Sequence, residues 1–448
     1  MSGTSHRDID PRTEFTADTS HATGAAAALR NTAAIRQRAA ALLARARRGE
    51  SKWFTIGDDD ALDDAAHEVA EVTRERYPWD TIPYHSRWRH FEAGGINRLG
   101  ELNQLLGEDI SAAARARAQI DLALVSVLLD AGAGPDWGYV ESASGTRFSR
   151  SEGLAVASFH AFTAGMFSSD PEHPLQADAA GLRALVTDRL GRAFQVSEVN
   201  PLLGLNGRAT LLRRLGEAMG EQPAVFGPDG RPGGLFDLLT GSRGPATSST
   251  ASIEAHDILS QLLMSLSHIW PAANAIDNVS TVSGALAGDG LPEHALGDCW
   301  RHSAVEGPGL TRGWMPFHKL SQWLTYSLLE PFEWAGVSVS GLDALTGLPE
   351  YRNGGLLLDT GVIVPRDVAF LERNWRVGDE FIVEWRALTV ALLDLLAPRV
   401  RKALGRSDAQ MPLACVLEGG TWAAGRALAQ RLRDGLPPLK IESDGTVF

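Results

Sequence analysis

Apolar residues along this chain recur mostly at helical spacing, so the pattern predicts a protein built mainly of helices. The longest apolar stripe lies in residues 382–404 and consists of Trp385, Leu388, Leu392, Leu395 and Leu396. Pro398 predicts a kink or a break within that helix. Further helices are predicted over residues 24–48, 96–106, 113–130, 151–167, 181–194, 251–270 and 317–329, the last ending near Pro331.

The first of these helices is rich in alanine and carries cations at its carboxyl end. Arg45, Arg47 and Arg48 fall in the last turn, where they face the negative end of the helix dipole, and Gly49 is a typical helix stop. The polar residues 1–24 that precede the helix are predicted to be a disordered lead-in.

Evidence for strands is limited to short segments. Residues 137–150 fit a small hairpin, and the segments GVSVSG (336–341) and GLLLDTGV (355–362) fit single short strands. Two stretches rich in Gly, Pro and Ser, 221–252 and 284–313, are predicted to be long loops, which in compact proteins are usually functional or mobile. The expected fold is therefore mainly α with minor β elements.

Composition narrows the class of protein. Of the 448 residues 44% are hydrophobic and 22% are charged, which is typical of a globular chain. The sequence has no apolar run near the roughly 20 residues that a membrane helix needs, and its polar N-terminus does not resemble a signal peptide. Two cysteines exclude a disulfide framework. A net charge of −13 argues against broad binding to nucleic acid. We therefore expect a cytoplasmic protein with no membrane or nucleic-acid partner.

A lysine opens the helix predicted at 317–329. Lys319, Gln322 and Tyr326 share one polar stripe of that helix, opposite an apolar one. Lysine at such a position is commonly a solvated helix end. The alternative is a cation that projects into a pocket and holds a phosphate or a carboxylate.

The segment LPEYRNGG, residues 348–355, combines an acid, a phenol and a guanidinium with two glycines. Pro349 stiffens the chain before Glu350, and Gly354 and Gly355 permit close backbone approach. The segment fits either a polar surface turn or a turn that holds a ligand.

The segment LEGGTWAAGR, residues 417–426, has a similar composition. Glu418 follows the apolar residues ACVL and precedes a predicted helix, so we expect it to be partly buried, where a carboxylate requires a partner. The glycines around Trp422 also fit a close helix crossing.

Familiar catalytic motifs are absent from the sequence. There is no HExxH, GxSxG, GxGxxG or Walker motif, and the Cys299-x-x-His302 spacing has no second pair. We therefore expect neither a metal site nor an organic cofactor.

Residues 53–448 resemble the uracil-catabolism proteins of fungi and bacteria, a family long regarded as being of unknown function. The segments that carry the resemblance are WRHFEAGG, DAGAGPDW, RSEGLAVASF, PFHKLSQWLTYSL, LTGLPEYRNGG, EWRALTV, LEGGTWAAGR and SDGTVF. The resemblance implies a pathway in which uracil is converted to its nucleotide and the ring is then opened.

The C-terminal third is similar, more distantly, to queuosine-salvage proteins, which hydrolyse the N-glycosidic bond of a modified nucleoside 5′-monophosphate. That resemblance implies a helical fold akin to DNA glycosylases, and a single large helical catalytic domain over 25–448 with most site residues in 314–448. The matching positions are Lys319, Asp343, Glu350, Glu384, Arg386 and Glu418. Glu350 and Glu418 replace aspartates of that family, and Asn353-Gly354-Gly355 replaces Val-Pro-Gln.

Together the two resemblances imply hydrolysis of N-ribosylurea 5′-phosphate to urea and ribose 5-phosphate. Glu350 is expected to be the main catalytic carboxylate, with Glu418 or Asp343 as a second acid or a ligand of the sugar hydroxyls. The expected substrate-binding residues are Lys319, Arg352, Tyr351, Arg386 and Trp422. Two alternatives stay open: an amidohydrolase acting on a ureido nucleotide, and a protein that binds a nucleotide intermediate without turnover. The sequence does not indicate an oligomeric state.

Overall fold

A computed structural model of the chain describes residues 17–78, 81–241, 252–270, 274–276 and 294–442. Within these residues the chain is mainly helical with short strands, which confirms the predicted fold class. The likeness to DNA glycosylases stays a prediction. In the described part of the chain, no helix is both long enough and apolar enough to cross a membrane.

The helices are α1 (Ala22–Leu29), α2 (Thr32–Arg47), α3 (Asp59–Arg76), α4 (Arg87–Phe91), α5 (Arg98–Leu106), α6 (Ala112–Leu128), α7 (Arg150–Thr163), α8 (Ala179–Arg183), α9 (Thr187–Ala193), α10 (Leu205–Gly220), α11 (Pro223–Phe226), α12 (Gly234–Thr240), α13 (Ala255–Leu266), α14 (Lys319–Trp334), α15 (Tyr351–Asp359), α16 (Ala369–Glu372), α17 (Glu380–Leu404), α18 (Leu413–Val416) and α19 (Trp422–Arg433). The strands are β1 (Phe54–Ile56), β2 (Gly138–Val140), β3 (Arg147–Ser149), β4 (Ser252–Glu254), β5 (Cys299–Arg301), β6 (Trp314–Pro316), β7 (Ser338–Ser340), β8 (Ile363–Pro365), β9 (Asn374–Arg376) and β10 (Lys440–Glu442).

The chain divides into two compact units, each assembled from separate stretches of sequence. Unit 1 contains Met1–Tyr84, Ala272–Lys319 and Gly341–Glu442, and unit 2 contains His85–Pro271, Leu320–Ser340 and Ser443–Phe448. The expectation of one catalytic domain over 25–448 stays a prediction.

The core of unit 1 forms around α17. This helix packs against α2 and α3, while α15 packs against α19. Trp375 and Phe381 stack at 4.4 Å between ring centres, and Trp53 contacts both edge-on, which anchors the start of α17 to the chain before β1. The antiparallel pairs β1–β8 and β5–β6 and the parallel pair β9–β10 lie at the edges of this core.

Unit 2 is built around α6, in which every residue from Ala118 to Leu128 is buried. A helix that is buried all round is typical of the centre of a helical domain. The helices α4, α7 and α12 pack against it, and α8 packs on α10. The hairpin β2–β3 pairs Tyr139 with Phe148, which confirms the predicted hairpin, and β4 pairs in parallel with β7, which confirms a strand in GVSVSG.

The N-terminal helix is interrupted, so the expectation of one helix over 24–48 is wrong. Its first part, α1, already begins at Ala22, within the predicted lead-in, of which residues 1–16 lie outside the described residues. Asn31 starts the second part, because its side chain accepts a hydrogen bond from the Ala33 N–H at 2.8 Å and caps α2. The segment 181–194 is likewise divided into α8 and α9.

Two prolines lie inside helices without ending them, so the predicted end near Pro331 is wrong, as is a break at Pro398, while the alternative of a kink at Pro398 stays a prediction. Pro331 has no N–H for the Ser327 carbonyl one turn earlier. The indole of Trp88 donates to that carbonyl at 2.8 Å instead, so the acceptor is satisfied and α14 continues. Pro398 lies within α17, whose packing against α2 and α3 outweighs one lost hydrogen bond.

The expected strand at GLLLDTGV is also wrong. Residues 355–359 belong to α15, and the strand of this region, β8, begins only at Ile363. The expected loop at 221–252 contains the short helices α11 and α12, with residues 242–251 outside the described part of the chain. The expected loop at 284–313 contains β5, and its residues up to 293 lie outside the described part.

Candidate active site

The start of α14 is fixed by one carboxylate. The backbone carbonyl of Asp298 accepts the N–H groups of Phe317 and His318 at 2.9 and 3.2 Å, and its side-chain Oδ2 accepts the Lys319 N–H at 3.0 Å. His318 adopts a left-handed φ of 48°, a strained conformation for a residue with a Cβ, and its Nε2 donates to the Leu29 carbonyl at 2.9 Å. Asp298 therefore acts as a cap from a distant part of the chain and fixes where Lys319 begins its helix.

Asp298 is held in turn by Arg386 of α17. The guanidinium donates to both carboxylate oxygens at 2.8 Å, Arg386 is completely buried, and its charge lies 4.1 Å from the centre of the Phe317 ring. Burial raises the pKa of Asp298, but the charge and hydrogen bonds of Arg386, the Lys319 N–H and the Trp300 indole outweigh it and hold that pKa at about 2. The pair is thus a buried, charged brace.

The same guanidinium reaches the segment that contains Glu350. Arg386 Nε donates to the Pro349 carbonyl at 3.3 Å, directly before Glu350. Glu350 is the N-cap of α15, and its two carboxylate oxygens accept the N–H groups of Arg352 and Asn353 at 2.7 and 2.5 Å. One ion pair, Asp298–Arg386, therefore anchors the chain at both Lys319 and Glu350, two residues that the resemblance to queuosine-salvage proteins assigns to one site.

Arg352 and Tyr351 follow Glu350 in the first turn of α15. Arg352 is buried, and both of its terminal nitrogens point to the Gly435 carbonyl at a long 3.4 Å, with its guanidinium 4.7 Å from the centre of the Tyr351 ring. The guanidinium therefore ties the start of α15 to the end of α19. Its expected contact with a phosphate stays a prediction.

Glu418 lies on a π-helical turn, Leu417–Thr421, between α18 and α19. Turns of this kind are rare and are often found at functional sites. Glu418 is buried, and its Oε1 accepts hydrogen bonds from Arg76 Nη2 and from the Tyr77 hydroxyl, both at 2.8 Å. Arg76 also donates to the Glu418 carbonyl. The partner that a buried carboxylate requires is thus supplied by the end of α3.

Glycines allow these elements to approach closely. A Cβ on Gly420 would overlap the Val69 carbonyl of α3, and one on Gly425 would overlap the Arg352 carbonyl of α15. The π-helical turn and α19 therefore lie directly against α3 and α15, so Glu350 and Glu418 belong to neighbouring packed elements. Trp422, one turn after Glu418, is partly exposed, and the Arg426 guanidinium lies 5.5 Å from the centre of its ring.

Gly354, which follows Glu350 in α15, allows close packing of this helix against α17. A Cβ on Gly354 would overlap the Trp385 ring of α17, and Trp385 Nε1 donates to the Gly354 carbonyl at 3.2 Å. Asp343 is exposed on a 3-10 turn, Leu342–Ala344.

Sequence reasoning missed Asp298 and the partners of Glu384, which are Ser51 and His302. Glu384, one half-turn before Arg386, accepts a hydrogen bond from the Ser51 hydroxyl and one from His302 Nε2 at 3.1 Å. His302 Nδ1 accepts the Ala304 N–H at 3.1 Å, so both ring nitrogens have partners. One signal for these partners was available: Glu384 and Arg386 are the two charged residues in the otherwise uncharged stretch Phe381–Leu393 of α17, and each must be compensated when buried. Within the described ranges, no group of three or more His, Cys, Asp or Glu is placed to hold a metal ion.

Comparisons with known proteins support the resemblance stated above. The family model described as "Protein of unknown function (DUF1688)" matches residues 28–448. Protein urg3 of Schizosaccharomyces pombe is 38% identical over 421 residues, which cover 92% of this chain and 96% of that protein. Uracil catabolism protein 4 of Lachancea kluyveri is 38% identical over 414 residues, covering 86% of this chain and 90% of that protein. The resemblance to queuosine-salvage proteins stays a prediction.

Proposed function

This chain belongs to the DUF1688 family of proteins of unknown function, and from that premise we propose that it is a hydrolase of uracil catabolism that cleaves the N-glycosidic bond of N-ribosylurea 5′-phosphate. A relative named for uracil catabolism supports the pathway. The reaction adds water across the bond between C1′ of ribose and the urea nitrogen. C1′ takes the hydroxyl, the nitrogen takes the proton, and the products are ribose 5-phosphate and urea.

The observation that carries the proposal is the common anchoring of Lys319 and Glu350 to the Asp298–Arg386 pair. Breaking an N-glycosidic bond leaves positive charge on the sugar, and by analogy with O-glycosidases a carboxylate beside C1′ stabilises that charge or activates water. Two backbone N–H groups fix the Glu350 carboxylate, so its orientation is set before substrate binds.

Lys319 is the proposed ligand of the 5′-phosphate. Its backbone is fixed by Asp298 and by the left-handed His318, so the lysine side chain starts from a defined point. A phosphate held away from the reacting bond supplies binding energy that can position the sugar.

Glu418 is the proposed ligand of the sugar hydroxyls. The hydrogen bonds from Arg76 and Tyr77 to one of its oxygens make it a well-oriented acceptor, which suits binding of hydroxyl donors better than donation of a proton.

The proposal is tested by incubating the purified protein with N-ribosylurea 5′-phosphate and measuring urea and ribose 5-phosphate. Glu350→Gln keeps a capping oxygen but removes the charge, and we expect turnover to fall by roughly 10² to 10⁴. The matched control is Asp58→Asn, which changes the exposed N-cap of α3 in the same unit and is expected to leave turnover unchanged.

Two outcomes would overturn the proposal. If the wild-type protein releases no urea while nucleotides bind to it and to Glu350→Gln equally well, the chain is a binding protein. If the products are ammonia and a ribosyl carbamate derivative with the N-glycosidic bond intact, the chain is an amidohydrolase.

A further inference from the structure

Unit 2 contains a charged and aromatic cluster that takes no part in the proposed reaction. The chain before and within α4 is fixed on α14 by three contacts. Ser86 Oγ donates to Glu330 at 2.6 Å, the Arg87 N–H donates to Ser327 Oγ at 2.9 Å, and Trp88 Nε1 donates to the Ser327 carbonyl. The positions of Arg87 and of neighbouring side chains relative to α14 are therefore well defined.

The Arg87 guanidinium is completely buried but incompletely paired. Its Nε donates to Ser126 Oγ at 2.7 Å, and its Nη1 lies 3.3 Å from His90 Nδ1 and 3.2 Å from Asp130 Oδ1. Its Nη2 is buried and has no acceptor among the described residues. Since buried donors in native proteins are nearly always satisfied, this N–H requires an acceptor that the described residues do not provide.

A second donor of this kind is adjacent. Trp323 of α14 is buried, its Nε1 has no acceptor within the described ranges, and its ring centre lies 5.6 Å from the Arg87 guanidinium carbon. Asp130 Oδ1 forms an ion pair with Arg87 Nη1 at 3.2 Å, and a carboxylate oxygen can accept more than one donor. Two open donors and a carboxylate with remaining acceptor capacity are thus present in one small region.

His90 borders the same region. Its ring lies 5.6 Å from that of Trp323 and is partly exposed. Because a guanidinium can only donate, Nδ1 accepts from Arg87, and the hydrogen of the neutral ring is on Nε2. Burial, and then the charge of Arg87, lower the pKa of His90 to about 4, so the ring is neutral at physiological pH.

The charges in this region do not favour an anion. Arg87 supplies one positive charge, and the acids that act on it and on His90 are Asp130 and Glu152. His85 also faces His90. With two carboxylates near one guanidinium, a phosphate would meet net negative charge, whereas a neutral polar molecule would not.

We propose that Arg87, His90, Asp130 and Trp323 form a binding site for a neutral, planar molecule in which a carbonyl adjoins an N–H, the chemical class of ureas and cyclic ureides. Arg87 Nη2 and Trp323 Nε1 donate to the carbonyl oxygen, and Asp130 Oδ1 accepts the adjoining N–H. All four residues belong to unit 2. This proposal does not depend on the proposed cleavage reaction, so either can be wrong without the other.

The test is an equilibrium titration of the full chain followed by the indole N–H signals of ¹⁵N-tryptophan. Uracil and urea are the probes, inorganic phosphate is the anion probe, and 1,3-dimethyluracil keeps the carbonyls but lacks N–H. We expect uracil to shift the Trp323 signal saturably, 1,3-dimethyluracil to bind at least tenfold more weakly, and phosphate to leave the signal unchanged.

Trp323→Phe removes the open donor, and since Nε1 makes no hydrogen bond within the described protein, the variant should fold. Because the variant lacks the Trp323 signal, its uracil binding is measured by isothermal titration calorimetry beside the wild type, and we expect it to be about fivefold to tenfold weaker. Trp314→Phe is the matched control, because Trp314 of unit 1 is also buried with an Nε1 that lacks an acceptor among the described residues, and it should bind uracil like the wild type. The proposal is overturned if neither uracil nor urea binds saturably, if phosphate binds better, or if Trp323→Phe binds as tightly as the wild type.

Discussion

Asp298→Asn is the most direct test of the buried brace. The substitution keeps the size of the side chain but removes the charge opposite Arg386 and replaces one acceptor oxygen with a donor. Burial alone would raise the pKa of Asp298. Arg386 and the neighbouring donors lower it by more than burial raises it, so the pKa falls from the ordinary 3.8 to about 2. This difference corresponds to roughly 2–3 kcal/mol of folding free energy at neutral pH. Leaving Arg386 buried without its partner brings the expected loss to roughly 3–5 kcal/mol.

The loss should depend on pH with a defined sign. Because the pKa of Asp298 is lower in the folded protein than in the unfolded chain, its contribution is fully present above pH 3.8 and is lost as the pH falls towards about 2. The wild type should therefore exceed Asp298→Asn in stability most strongly near neutral pH, and the gap should close in that acidic window.

The measurement combines urea unfolding with hydrogen exchange, because a chain of two compact units need not unfold in one step. Exchange of peptides that contain Phe317–Lys319 and 348–353 reports the brace locally, and both should lose protection in Asp298→Asn. Asp394→Asn is the matched control: Asp394 lies on the same helix and pairs with Arg36 at 2.9 Å, but both side chains are about 30% exposed, so the expected loss is below about 1 kcal/mol. Equal losses in the two variants, or a gap that does not change between pH 7 and pH 3, would refute the reasoning.

Three further outcomes are expected. Gly425→Ala should reduce the free energy of unfolding by about 1–3 kcal/mol or more, because the new Cβ overlaps the Arg352 carbonyl. In the same urea experiment, Gly132→Ala should change the free energy of unfolding by no more than about 0.5 kcal/mol, because no atom lies near the added carbon. Hydrogen-exchange protection around α4 in unit 2 should decrease as the pH falls from 6.5 towards about 4. Burial and the charge of Arg87 lower the pKa of His90, so the folded state disfavours the protonated ring. His90→Gln should make the protection less dependent on pH. In steady-state kinetics, Lys319→Gln should raise the KM for N-ribosylurea 5′-phosphate roughly tenfold to a hundredfold and leave the KM for unphosphorylated ribosylurea unchanged. An equal increase in KM for both substrates would show that Lys319 does not bind the phosphate.

The sequence predicted the elements whose signals are local. The apolar stripe of α17 and the hairpin β2–β3 were found because their periodicity depends on neighbouring residues alone. Elements that depend on distant partners were predicted wrongly. Gly354 and Gly355 resemble turn residues, but Gly354 is a packing position beneath Trp385, so the segment after Glu350 is a helix. Pro331 signals a helix end, but Trp88, far away in sequence, donates to the carbonyl that the proline leaves.

The same distinction applies to the candidate site. Lys319, Glu350 and Glu418 were selected through family resemblance. The residues that fix their positions lie in other segments of the chain and could not be identified from the sequence around them. Asp298 was overlooked because its segment was considered only for the Cys299-x-x-His302 spacing, while its partner, Arg386, lies 88 residues away. Long-range ion pairs of this kind leave only an indirect signal, a charge at a position that periodicity assigns to the core.

The assembly of unit 1 from three stretches of sequence has a consequence for studies that divide the gene into fragments. A C-terminal fragment that starts near residue 314 would encode Lys319, Glu350 and Glu418, but neither Asp298 nor Arg76, which hold them. Deleting the first 84 residues would leave Glu418 without Arg76 and Tyr77. We therefore expect such fragments to lose the contacts that hold Lys319 and Glu418, so the proposed reaction is better tested with point substitutions in the chain of 448 residues.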